Sequence, residues 1–121
     1  MKRNMAHAFR SIELEQGDAS ERYLAEVLQK SKDAGKLPPW LLSWERTEKW
    51  SIADRRGVDF FIRTDKGDIR INVKSSRIFA KQFEDRHRNG DILPIVVNLF
   101  ERLEAFLGRF ISLISKARRS M

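Results

Sequence analysis

Residues 57–76 read GVDFFIRTDKGDIRINVKSS, and this stretch decides the fold. Its two halves, 58–64 and 69–73, are rich in the β-branched and aromatic residues that favour strands. The DKGD sequence at 65–68 between them has the residue types of a tight turn. The stretch therefore predicts a β-hairpin.

The register of this hairpin depends on which residues form the turn. If Lys66-Gly67 is the two-residue loop, Asp59 lies opposite Lys74, and Phe61 lies opposite Asn72. A bulge at the turn, which would shift the pairing by one residue, is the alternative. Because side chains alternate along a strand, one face is predicted to be apolar. This face carries Phe60, Ile62, Ile69, Ile71 and Val73.

Apolar periodicity and turn signals predict further elements on both sides of the hairpin. These are a helix at 18–34, a short strand at 49–53, a helix at 77–88, a strand at 92–99 and a helix at 101–116. The order αβββαβα predicts an α/β fold in which helices flank a small central mixed β-sheet.

Two of the predicted helices carry conspicuous apolar side chains. The helix at 77–88 is expected to face the sheet through Ile78, Phe79 and Phe83. The last helix carries more apolar residues than the terminal helix of a monomer needs, notably Phe106, Phe110, Leu113 and Ile114. We therefore expect that a homodimer can form through this helix.

Composition limits the class of protein. The chain has 121 residues, of which 41% are apolar and 34% charged, as in one globular domain spanning residues 1–121. Its net charge of +7 and pI near 10.1 indicate an anionic partner, and we expect this partner to be a nucleic acid. A basic surface that only confers solubility, or one that meets a ribosome or a membrane surface, has the same charge balance.

The sequence also excludes several kinds of site. It contains no cysteine, which rules out disulfides, thiolate zinc sites and cysteine nucleophiles. The N-terminal residues lack a signal-peptide core, and no stretch approaches the roughly 20 apolar residues of a membrane-spanning helix. We therefore expect a cytoplasmic protein without a membrane partner.

The order of elements, with Glu21, Asp59 and the NVKSS sequence at 72–76, resembles the PD-(D/E)XK nuclease superfamily. Its sites combine a helical Glu, a strand Asp and an acid-x-Lys motif on the next strand. Residues 17–22 (GDASER) and 73–76 (VKSS) are most similar to archaeal-type Holliday junction resolvases and related small bacterial endonuclease-like proteins. The resemblance covers residues 17–99 and implies a restriction-endonuclease-like core and a DNA endonuclease that uses Mg²⁺ or Mn²⁺.

The resemblance also implies a role for each candidate residue. Asp59 is expected to be the principal metal ligand, with Glu21, Asn72 and the backbone of Val73 completing the metal site. Lys74 is expected to orient the attacking hydroxide or to stabilise the charged transition state. Such a site suits phosphodiester cleavage, because a metal ion lowers the pKa of bound water and polarises the phosphate.

One residue departs from the superfamily pattern. Asn72 stands where the acid-x-Lys motif usually has Glu, Asp or Gln. Its amide oxygen can bind a cation, but the missing negative charge should weaken metal binding. A slow enzyme, a site completed only by DNA, and a site that has lost activity are all compatible with this change.

Basic and hydroxyl side chains near the site are expected to hold the DNA backbone. These are Arg55, Arg56, Ser75, Ser76, Arg77, Lys81, Arg86 and Arg88. If the catalytic site is inactive, the same surface defines a nucleic-acid-binding module.

Each candidate also has a purely structural explanation. The spacing Asp18-x-x-Glu21 is typical of a helix capping box. Asp59 and Lys74 can form a cross-strand ion pair, and one of the two serines that follow Lys74 can cap the next helix. In that case the protein is a basic structural or RNA-associated protein rather than a nuclease.

Overall fold

A mixed four-stranded sheet lies at the centre of the fold. The computed structural model describes the backbone of residues 2–86 and 90–121 and the side chains of residues 18–86 and 90–121. The predicted DNA contact Arg88 lies outside the described residues. The elements are α1 (Lys2–Asp33), β1 (Leu41–Arg46), α2 (Ile52–Arg55), β2 (Phe60–Thr64), β3 (Gly67–Lys74), α3 (Arg77–Arg86), β4 (Ile92–Val96) and α4 (Leu103–Arg119).

The strands lie in the order β1-β2-β3-β4. β1 pairs antiparallel with β2 and β2 antiparallel with β3, whereas β3 and β4 are parallel. Parallel neighbours need a crossover connection, and α3 provides it between β3 and β4. The predicted α/β fold, with helices flanking a small mixed sheet, is confirmed.

The hairpin is confirmed, but its predicted register is wrong. Phe60 pairs with Ile71 and Thr64 with Gly67, so that Asp65-Lys66 forms the loop. Thr64 explains the difference, because its hydroxyl donates to the Gly67 carbonyl (2.7 Å) and accepts from the Lys66 N–H (3.2 Å). The pairing therefore shifts by two residues, and Asp59 does not lie opposite Lys74 nor Phe61 opposite Asn72.

A shift of two residues leaves the two faces of the hairpin unchanged. The predicted apolar face is buried at all five positions, which are Phe60, Ile62, Ile69, Ile71 and Val73. It packs against α1 and α4 in the main hydrophobic core. On the other face Phe83 of α3 forms a second, smaller core with Val58 and Ile92.

The first helix begins much earlier than the sequence predicted. α1 starts at Lys2 rather than at Asp18, so Asp18 and Glu21 lie inside the helix. The capping-box explanation of Glu21 is therefore wrong, since that motif requires Asp18 to precede the first helical turn. α1 ends as predicted near Gly35, whose φ of 69° suits a residue that follows a helix.

The predicted strand at 49–53 is also wrong. The first strand is β1 at Leu41–Arg46, and Ser51 instead caps the short helix α2 by accepting the Asp54 N–H. In α3, Ala80 and Phe83 form the buried stripe, whereas Ile78 and Phe79 are exposed. Their predicted packing against the sheet is wrong because Ile78 lies off this stripe and Phe79 lies in the first turn.

The terminal helix buries the side chains that suggested a homodimer. Phe106, Phe110 and Ile114 are fully buried against the sheet, and Leu113 is partly buried against the same core. These side chains cover the protein's own sheet, and the homodimer through α4 stays a prediction. In the described part of the chain, no helix combines the length and apolar character of a membrane span.

Two phenylalanines test this placement of α4. Phe110→Ala should lower the free energy of unfolding by about 3–5 kcal/mol, because Phe110 is 0% exposed and its loss leaves a cavity. Phe100→Ala, at a residue that is 98% exposed, should change it by less than about 0.5 kcal/mol. Urea denaturation measures both values, and similar losses would contradict the packing of α4 against the sheet.

Candidate functional site

Asp59 lies where the turn after α2 enters β2. Its N–H donates to the Ile71 carbonyl and its carbonyl accepts the Thr47 N–H, both at 2.8 Å. Its carboxylate oxygen Oδ2 accepts the Val73 N–H at 2.7 Å. Both the backbone and the side chain of Asp59 are therefore held by the neighbouring chain segments.

This environment changes the acidity of Asp59. Burial raises the pKa of its carboxyl group from 3.8 to about 7, although the hydrogen bond from Val73 opposes that change. The negative charges of Glu21 and Asp54 also raise the pKa, and the positive charge of Lys74 lowers it. The pKa of Asp59 is thus raised towards neutral pH, as it is in many catalytic and ligand-binding carboxylates.

Glu21 reaches the site from α1 and is held there by Arg46 of β1. The Arg46 Nε donates to Glu21 Oε1 at 3.2 Å, and its Nη2 donates to Asp18 Oδ1 at 2.5 Å. Burial raises the pKa of Glu21, and the charge of Arg46 opposes this change. The hydrogen bond from Arg46 holds the pKa of Asp18 below its usual value. The three side chains form an acid–arginine cluster beside Asp59.

Sequence reasoning missed Arg46 because the position of β1 was not predicted. Arg46 pairs with Phe60, which places both side chains on the sheet face covered by α1. Asp18 and Glu21 stand three residues apart on α1, and this spacing puts them on one side of a helix. From this spacing alone, one basic side chain that binds both acids could have been predicted. The structure identifies that side chain as Arg46.

Asn72 is buried behind the site and is only 4% exposed. Its Nδ2 donates to the Gly57 carbonyl at 2.6 Å. Gly57 has a φ of 90°, and a Cβ there would lie 2.9 Å from the ring of Phe83. Asn72 Oδ1 has no hydrogen-bond partner among the described residues. Asn72 therefore secures the turn that leads to Asp59 and keeps one buried oxygen available.

Lys74 ends β3 on the face covered by α3. Its Nζ lies 5.3 Å from the ring centroid of Phe83, and its charge acts on Asp59. The Asp59 carboxylate instead accepts the Val73 N–H. Asp59 is thus held by the Val73 N–H and Lys74 lies over Phe83, so a cross-strand ion pair between Asp59 and Lys74 is not what holds them.

The described residues among the predicted DNA contacts lie on or next to α2 and α3. Ser76 accepts the Phe79 N–H at 3.3 Å and so caps α3, as one of its explanations predicted. The other described members of this group are exposed at the end of α2, before α3 or along α3. These exposed residues are Arg55, Arg56, Ser75, Arg77, Lys81 and Arg86.

The oxygen donors of the site are the residues that would have to hold a divalent cation. Among the described side chains, no group of three or more His, Asp or Glu residues is placed to hold a metal ion. The carboxylates of Asp59 and Glu21 and the unpaired oxygen of Asn72 are hard donors of the kind that Mg²⁺ prefers. Arg46 already binds Glu21, which reduces the charge that Glu21 can offer to a cation.

Comparison of the chain with protein-family models, curated proteins and solved structures finds no match. The fold and the chemistry of this site therefore carry the functional argument.

The raised pKa of Asp59 predicts a pH-dependent effect of Asp59→Asn. Between about pH 4 and pH 7 the native state holds a proton that the unfolded state releases, so the wild type loses stability as the pH rises through this window. The variant keeps an acceptor for the Val73 N–H but cannot ionise. Its stability relative to the wild type should increase by about 1–3 kcal/mol between pH 5 and pH 8, as measured by urea denaturation.

Asp65→Asn is the matched control for this measurement. Asp65 is bound by Arg118, and the hydrogen bond lowers the pKa of Asp65, so its stabilising effect is lost only as the pH falls below its usual range. The stability difference between this variant and the wild type should stay constant from pH 5 to pH 8. A constant difference for Asp59→Asn as well would contradict the raised pKa of Asp59.

Proposed function

We propose that the protein is a metal-dependent DNA endonuclease with a restriction-endonuclease-like core, which hydrolyses phosphodiester bonds with Mg²⁺ or Mn²⁺. The main support is Asp59, a carboxylate whose pKa of about 7 responds to the charges of Glu21 and Lys74. Metal-assisted hydrolysis of a phosphodiester uses such a set of groups: a carboxylate, with a second acid and an amine near enough for their charges to act on it.

In this proposal Asp59 is the principal metal ligand. Glu21 and Asn72 Oδ1 supply further oxygens, together with the backbone carbonyl of Val73. A bound Mg²⁺ ion would lower the pKa of a water molecule and polarise the scissile phosphate. The Val73 N–H keeps the Asp59 carboxylate in one orientation, so little reorganisation is needed before the reaction.

Lys74 supplies the positive charge that the transition state needs. Its ammonium group is held over Phe83 and acts on Asp59. As attack adds negative charge around phosphorus, a fixed cation nearby stabilises the transition state more than the ground state. The proposed role of Lys74 is to provide this stabilisation and to orient the attacking water.

The DNA backbone would lie along the exposed basic residues at the ends of α2 and α3. Arg55 ends α2, Arg56 directly follows it, and Arg77 begins α3. Contacts from such residues to phosphates position the duplex without reading its sequence, and they make binding sensitive to salt. The net charge of +7 supports the same partner.

A second candidate function is a nucleic-acid-binding module of the same fold with an inactive site. Two contacts favour it: Arg46 binds Glu21, and the amide of Asn72 is engaged with Gly57. Arg46 offsets the charge that Glu21 could offer to a metal ion, and the neutral Asn72, held in the turn, brings no charge of its own. This alternative keeps the basic surface and DNA as the partner, but it removes the hydrolytic step.

Replacement of Lys74 tests the hydrolytic proposal. With Mg²⁺ or Mn²⁺, the wild-type protein should nick supercoiled or branched DNA, and Lys74→Ala should reduce the rate by about 100-fold or more, as removal of one transition-state donor does. Gel electrophoresis of the DNA measures the rate. Lys66→Ala makes the same charge change in the β2–β3 loop and should keep the wild-type rate. Undiminished cleavage by Lys74→Ala would refute its role.

Metal titration separates the enzyme from the binding module. Added Mg²⁺ should raise the Tm of the wild type in a saturable manner, and more at pH 8 than at pH 6, because the cation binds the ionised form of Asp59. Asp59→Asn should abolish this increase. Potassium chloride at equal ionic strength is the control for screening of charge, and the same response to both salts would favour the binding module.

A further inference from the structure

Two apolar side chains are presented to solvent by the turn that follows β4. Asn98 accepts the Glu101 N–H on its carbonyl and the Phe100 N–H on Oδ1, both at 3.0 Å. These bonds form a β-turn with Leu99 and Phe100 at its centre. Leu99 is 52% exposed and Phe100 is 98% exposed. Large apolar residues gathered on a surface are typical of binding sites.

This turn borders a pocket of about 430 Å³. Phe79 lines it from the first turn of α3 and is itself 48% exposed, and Val97 lines it from the end of β4. Ser75 and Ser76 contribute hydroxyl groups. The pocket thus combines aromatic rings with a few polar groups, and its volume lies in the range of small-ligand sites, about 300–1,000 Å³.

The pocket shares two chain segments with the candidate site. Ser20, which lines it, directly precedes Glu21, and Ser75 directly follows Lys74. These two segments connect the pocket to the candidate site along the chain.

Arginines offset the acidic residue beside the pocket. Glu101 lies at the end of the turn, but Arg109 binds it at 2.8 Å. The charge of Arg77 also lowers the pKa of Glu101, which places Arg77 near the same turn. Together with the net charge of +7, these contacts favour an anionic partner over a second copy of this basic chain.

We propose that this pocket binds an unstacked nucleobase of a strand whose neighbouring phosphate lies at Lys74. Phe79 and Phe100 would stack on the base, as aromatic side chains do in single-strand-binding proteins. The proposal rests on the proposed function and specifies its substrate: DNA that contains unpaired nucleotides at a fork, flap or branch. A base inside a continuous duplex is stacked and paired, so it cannot enter the pocket without being extruded.

DNA binding in metal-free buffer tests the pocket separately from hydrolysis. Fluorescence anisotropy would compare a blunt duplex with a duplex that carries a single-stranded flap. The wild type should bind the flap DNA about 10-fold more tightly, and Phe100→Ala and Phe79→Ala should remove most of that preference. A 2-aminopurine placed at the first unpaired position should report stacking in the wild type and not in these variants.

Trp50→Ala is the matched control, because Trp50 is an aromatic residue that is 80% exposed and does not line the pocket. It should keep the wild-type preference. Equal binding of both DNAs, or an unchanged preference in Phe100→Ala, would overturn the pocket proposal. So would a wild-type dimer in sedimentation analysis that Phe100→Ala converts to a monomer, because the turn would then be a contact between copies of the chain.

A cleavage assay with Mg²⁺ distinguishes the two proposals. Flap preference without any cleavage would support the pocket and refute the nuclease. Cleavage that depends on Lys74, together with equal binding of both DNAs, would support the nuclease and refute the pocket.

Discussion

The hydrogen bond from the Val73 N–H to the Asp59 carboxylate is the contact on which the site depends. β2 pairs with β3 only as far as Phe60 and Ile71, so β3 continues beyond the end of its neighbour. The Val73 N–H would be left without a strand partner on that side, and the carboxylate takes the place of one. The same bond holds a partly buried acid whose pKa is about 7. The side chain of Asp59 therefore does two things: it accepts the Val73 N–H at the end of the sheet, and it supplies the site with an acid of raised pKa.

Two demands compete for the charge beside Asp59. The carboxylates of Asp18 and Glu21 are partly removed from water, and Arg46 compensates both through hydrogen bonds. A metal ion at Glu21 would have to share that carboxylate with a guanidinium group fixed by β1. In the proposed enzyme this competition makes Asp59 the main source of metal affinity. In the proposed binding module no metal ion binds, and the guanidinium group of Arg46 alone offsets the charges of Asp18 and Glu21.

Local sequence pattern predicted the parts of this fold that are set by periodicity. The apolar face of the hairpin, α3, α4 and the mixed sheet followed from alternation and helical spacing. The register did not, because it depends on one hydroxyl, that of Thr64, which bonds within the loop. The family resemblance predicts Glu21, Asp59 and Lys74 as a group, and the charges of Glu21 and Lys74 both act on Asp59. Arg46 was not, since its role depends on pairing across β1 and β2 and on packing against α1.

The departure at Asn72 has an explanation in the fold. Its Nδ2 donates to the Gly57 carbonyl at 2.6 Å, and a carboxylate in its place would bring two acceptors together. The turn cannot easily move away, because Gly57 has a positive φ and lies against Phe83. An acid at position 72 would therefore disturb the segment that places Asp59. Within the proposed nuclease, Asn72 brings no negative charge to the metal, but its hydrogen bond to Gly57 keeps the Asp59 carboxylate in position.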